Sequence, residues 1–300
     1  MNNQTSSDRR SIEFAPGVKR PPTITDANDA SPQRIEDDGA PTWIVRGANF
    51  VVAITRVKPG TRLSRQAQAS EYMLFAPPGV SADVEAGEER LTVESDSLTI
   101  IPPGDSEIVA HGGGEIFRIF SNRAFDLTAE SANANVYSDD LGDVAPLREW
   151  PDPVGGYRVR TYPLKNVVSG EAFGRIYRST NLMVNIFEPY GDSRDQAALS
   201  PHSHTDFEQG SLTMAGHFEH YLRTPWGRDR SEWREDVVVS CDSPSITIIP
   251  AGMIHTTAWF GRHGRMIDIF SPPREDFSKR AGWVRNEEDY PSPTWIENSK

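Results

Sequence analysis

The 300-residue chain has a single cysteine, Cys241, so it cannot close an internal disulfide. That scarcity fits a reducing compartment, and a cytoplasmic protein is expected. No apolar run is long enough to cross a bilayer, so no membrane partner is expected. The opening stretch MNNQTSSDRRSIEFAPG lacks the apolar segment of a signal peptide. There is no cluster of Lys and Arg interleaved with aromatics, and the formal charge is −12. Both features argue against nucleic acid as a partner. No window carries a sustained helical apolar stripe, and no histidine occurs before His111.

What remains is a turn-rich β pattern. Gly and Pro number 23 each, and segments such as ERLTVES, DSLTIIP and EIFRIFS are short, β-branched and bounded by turn residues. The second half repeats the first. SLTIIPPG at 97–104 matches SITIIPAG at 245–252, and EIFRIFS at 115–121 answers RMIDIFS at 265–271. The chain divides accordingly into a polar arm over 1–40, expected to be poorly ordered, a first β unit over 41–130, a linker over 131–156, a second β unit over 157–275 and a tail over 276–300. The tail carries Phe277, Trp283, Tyr290 and Trp295 without β alternation, which suits a segment that wraps a barrel.

Chemistry concentrates in the second unit. In PHSHTDFEQG, His202 and His204 share a face if the segment is extended, because side chains alternate with period two. Further on, PAGMIH places His255 just after a Pro–Gly turn. Imidazoles with an oxygen donor suit Fe, Mn, Zn, Ni or Cu.

HSHTDFEQGSLTMAG followed by PAGMIH resembles the two sequence motifs of the cupin superfamily. The resemblance implies an all-β chain of two tandem jelly-roll barrels, a bicupin. It also implies one divalent metal ion per chain, with Fe(II) favoured and Mn, Ni, Zn or Cu possible. The ligands carried over are His202, His204, one of Glu208 and Gln209, and His255. The family's closing Gly follows the third ligand after six residues, and six separate Gln209 from Gly216. A one-residue slip would turn the side chain to the opposite face, so register selects Gln209. Glu208 is left as a neighbouring proton acceptor or an outward charge. In the first unit Arg65, Ala67, Tyr72 and Glu107 align with His202, His204, Gln209 and His255, which implies a first cupin without metal ligands. A homodimer is expected, as is common in the superfamily.

Other candidates are weaker. His217 and His220 could serve as acid–base groups, or simply face solvent from a strand. Arg223 and Trp226, in a charged loop, could grip a carboxylate or pack on a ring. Ser211 and Thr213 lie in phase with Gln209 and could form a hydrated cavity floor. Trp259, standing where the family has Asn, is counted with the substrate contacts. Three functions fit a small-molecule substrate. The first is dioxygenase cleavage of a phenolic, enol or diketone compound. The second is redox-neutral isomerase or lyase chemistry on a sugar acid at a three-His, one-Gln centre. The third is non-catalytic binding of a small ligand. The dioxygenase reading stands narrowly ahead.

Overall fold

In a computed structural model, residues 17–148 and 150–297 are described. Alternating apolar residues drive the chain into three antiparallel sheets. The first half is a sandwich. One layer has seven strands in the order Arg160–Pro163, Ser97–Ile101, Tyr72–Ala76, Gly114–Ser121, Phe50–Val57, Pro41–Arg46, Arg34–Ile35. The other has four, in the order Arg62–Gln68, Gly104–Ala110, Ala82–Ala86, Glu89–Val93.

The second half is built around two long strands, Gln209–Arg223 and Ile254–Phe270. Both bend near Gly216, where the ladder shifts register, and so pass from one layer of their barrel to the other. Gly216 is required at this corner. Its φ is +99°, and a Cβ there would lie 2.9 Å from the Gly264 Cα. The result is two tandem jelly-roll barrels, the fold expected from the sequence. No helix among the described residues is long and apolar enough to cross a membrane.

The halves exchange strands. Thr23–Asp26 pairs with Ser245–Ile249 of the second half, and Arg160–Pro163 pairs with Ser97–Ile101 of the first. Residues 17–40 are therefore not the loose arm expected. Their backbone completes a sheet edge and Ala27 is buried; residues 1–16 lie outside the described residues.

One core runs between the two seven-stranded sheets. Val52, Ile54, Phe75 and Phe117 from the first half meet Val184, Leu212, Ile248 and Ile267 from the second. Each such side chain contributes about 1.5–3 kcal/mol when fully buried. The first barrel's interior is also apolar, filled by residues such as Leu63, Leu74, Val84, Ile108 and Phe120. The second barrel differs. Its inward side chains include Asn185, Ser211, Thr213, Thr247, His220 and Asp268, all buried.

Candidate metal centre

The three histidines are held by backbone. His202 and His255 exchange both main-chain hydrogen bonds, at 3.1 and 2.8 Å. The His204 carbonyl accepts from Gly252 N at 2.6 Å, which ties the His-x-His segment to the Pro-x-Gly turn. The side chains converge, with one ring nitrogen from each of His202, His204 and His255 lying within 4.8 Å of the others.

Two of the rings are oriented for a cation. His202 Nδ1 and His255 Nδ1 donate to the carbonyls of Ser200 and Met253, at 2.9 and 3.0 Å. Those bonds fix the proton on Nδ1 and leave the Nε2 lone pairs facing inward. His255 Nε2 is buried without a partner, an orphan that a metal ion would satisfy. Burial lowers the pKa of His204 to about 3 and of His255 to about 4. The neighbouring rings add to this, so both imidazoles are neutral donors at ordinary pH.

Gln209 turns into the barrel with them. Its Oε1 lies 3.1 Å from His204 Nε2. Its amide nitrogen donates to Ser211 Oγ and Asp268 Oδ1, each at 3.0 Å. Asp268, whose carboxylate accepts both from Gln209 and from Ser211 Oγ at 2.9 Å, thus fixes the amide with its oxygen toward the imidazoles. Burial pushes the Asp268 pKa up to about 7. Glu208 points the other way, in phase with Gly210 and Leu212. It accepts from Ala48 N at 2.5 Å and from Tyr137 OH at 2.9 Å, and so ties the strand to the first half. Burial raises its pKa to about 7 as well.

A cavity of about 350 Å³ opens beside His202, Gln209 and His255. Trp259 lines it, stacked on Tyr190 at 3.7 Å, with Arg194 and Arg274 also in its wall. The structure leaves several other candidates outside. His217 sits on an exposed strand face, bonded to Asp242 and Ser240. Trp226 is 68% exposed and stacks on Trp233. Arg223 is exposed and bridges Asp236, lining a second depression that shares His255 and Thr256 with this cavity. For Trp226 the cause is that the strand ends at Arg223 and its loop projects into solvent. His220 is buried and bonded to Thr257 Oγ1 at 2.9 Å, two positions along the ladder from His255. Thr213 is buried deeper, bonded to Ser245.

Sequence reasoning missed Asp268, Tyr190, Arg194 and Arg274. Only Asp268 left a signal, as a carboxylate in the apolar run RMIDIF at the position where the first repeat has Arg118. The first half also corrects one alignment. Tyr72 pairs with Ile101 as Gln209 pairs with Ile249. A bulge between Gly104 and Ser106, however, shifts the following strand by one residue. Ser106, not Glu107, therefore faces inward opposite Arg65, and it bonds the Tyr72 hydroxyl at 2.9 Å. Glu107 turns outward to Arg62.

No protein-family model matches the chain, and no curated protein sequence matches it. Solved structures do. An oxalate decarboxylase of Lactobacillus farciminis, in complex with formate, superposes with a TM-score of 0.55. The match covers 88% of each chain at 12% identity. A variant of Bacillus subtilis oxalate decarboxylase superposes with a TM-score of 0.53 at 14% identity, covering 94% of this chain and 85% of that one. The fold is a bicupin fold. At such identities the likeness is one of architecture, and the chemistry has to be argued from the site.

Proposed function

We propose that this bicupin is a metal-dependent enzyme performing redox-neutral lyase or isomerase chemistry on a small carboxylic acid. His202, His204, Gln209 and His255 hold the ion. The observation that carries the reading is the donor set: three imidazoles and an amide oxygen, with the Asp268 carboxylate engaged by the Gln209 amide nitrogen and Ser211 Oγ. A divalent cation bound there keeps nearly its full charge and supplies a Lewis acid for a carboxylate or carbonyl oxygen. Arg194 and Arg274, the latter also paired with Asp276, give the cavity positive charge for an anionic substrate. Asp268 Oδ1 orients Gln209, and its carboxyl can carry a proton to a bound acid. The two similar structures are decarboxylases, which supports this reading over the dioxygenase one. The first barrel serves as scaffold, with Arg65, Tyr72 and Ser106 where the second has ligands.

The test is anaerobic. Protein reconstituted in turn with Fe(II), Mn(II), Zn(II) and Ni(II) is given 2-oxo acids and sugar acids, with product followed by chromatography and oxygen by electrode. Turnover without oxygen is expected. Oxygen uptake in step with product, and none in its absence, returns the dioxygenase reading.

A further inference from the structure

The cavity is far larger than a two-carbon acid needs, at about 350 Å³, and its two ends differ in chemistry. At the metal end stand His202, Gln209, His255 and Asp268. The other end is mainly aromatic, where the rings of Tyr190 and Trp259 lie parallel at 3.7 Å and 7°, with the Arg194 guanidinium 5.2 Å from the Trp259 ring centroid. Phe187 extends that wall, 6.0 Å from Tyr190. The Trp259 indole N–H is already donated to the Asp192 carbonyl at 2.7 Å, so the ring is fixed and presents carbon to the cavity. Trp259 and His255 point inward from one strand, four residues apart, which is about 13 Å along it. An acid that engages the imidazoles and also reaches the aromatic wall must therefore carry an apolar body beyond its carboxylate. A pocket of mostly apolar lining with a few convergent polar groups selects such a ligand.

We propose that the substrate is an aryl-bearing carboxylic acid, its carboxylate toward the imidazoles and Arg274 and its ring against Tyr190 and Trp259. Trp259 is then a specificity-determining residue. The proposal rests on the metal-centre reading for the placement of the carboxylate, but ring preference is measured separately from metal dependence.

The experiment is calorimetric titration of the full chain, Mn(II)-loaded and chelator-stripped, with phenylpyruvate, pyruvate and oxalate. Phenylpyruvate is expected to bind at least about 10-fold more tightly than pyruvate, from burial of the ring. Trp259→Ala and the better-packed Trp259→Leu should each cut that ratio below about 3-fold while metal content holds. Equal affinities, a preference for oxalate, or no binding of any of the three acids at millimolar concentration overturn the proposal. So does a ratio unchanged in both variants. A ring preference that persists unaltered in stripped protein supports this proposal and counts against the metal reading. Normal metal uptake without ring preference does the reverse.

Discussion

Neighbouring residues Glu208 and Gln209 face opposite ways, which gives a prediction with two separable readouts. Glu208 is only 2% exposed and accepts from Ala48 N and Tyr137 OH. Glu208→Ala leaves both donors without their acceptor. A buried donor left unpaired costs about 1–3 kcal/mol. Tyr137 is half-buried and regains some water, so the total should fall near about 2–4 kcal/mol. For a domain of this size each kcal/mol moves Tm by about 2–4 °C, and a drop of roughly 4–16 °C follows. Metal affinity should stay within about twofold, because the carboxylate does not face the imidazoles. Gln209→Ala should do the opposite. Ser211 keeps its bond to Asp268, so stability changes little, while loss of one ligand lowers metal affinity by at least about 10-fold. Thermal melts must be run on stripped protein, since a bound ion stabilises by mass action. Metal affinity is read by competition with a chelator. The reasoning is refuted if Glu208→Ala empties the site at unchanged Tm, as it would if that carboxylate swung to the histidines.

Four further outcomes are expected. Asp268→Ala frees the Gln209 amide to rotate, and chelator competition should show metal affinity lowered by about 10-fold with all four proposed ligands intact. Burial raises the pKa of Glu71, which accepts from Tyr290 OH and Thr180. The raised value means its stabilising term is complete below the ordinary carboxylate range and is lost as pH climbs through the folded-state pKa. Urea midpoints from about pH 4 to about pH 8 should therefore decline less in Glu71→Gln than in wild type. Arg65→Ala removes bonds to the half-exposed Asp126 and to buried Gln68, costing about 1–3 kcal/mol by denaturation with metal content unchanged. Trp226→Ser and His217→Asn lie on the exposed surface and should leave metal affinity unaltered, with stability within about 0.5 kcal/mol.

The parts of the fold legible in the sequence are those set by period two. SLTII and SITII read as matched strands because Leu98 and Ile100, like Ile246 and Ile248, must alternate toward one shared core. The side of the strand taken by Gln209 was legible for the same reason, since counting residues to Gly216 is counting faces. The exchanged strand TITD was not legible, because four half-polar residues between PP and AND carry no period of their own. Its partner, 222 residues on, supplies the ladder. The inward turn of Ser106 depends on a bulge at Gly104, a backbone event without a composition signature. Trp226 failed as a site candidate because chemistry was inferred from residue type, whereas burial depends on where the strand leaves the barrel.

The contrast between the two interiors bears on how a polar site is tolerated at all. In the second barrel both amide atoms of Asn185, the Thr247 hydroxyl and the Nε2 atoms of His220 and His255 are buried without protein partners. Each costs free energy unless water, an ion or a ligand satisfies it. An interior of this kind leaves its apolar burial to small clusters, such as Phe218 with Cys241 and Met266, and much of the second half's apolar packing lies on its other face. There Leu212, Ile246, Ile248, Ile267 and Ile269 pack on the first half, whose own barrel is filled with aliphatic and aromatic side chains. Duplication thus allows a division that one barrel could not sustain. One copy keeps a packed interior and covers the outer face of the other, and the second is free to hold histidines, an amide and a buried carboxylate around an open cavity. It follows that the two halves should not be separable: the second barrel expressed alone would expose that isoleucine-rich face to water while keeping its unsatisfied interior.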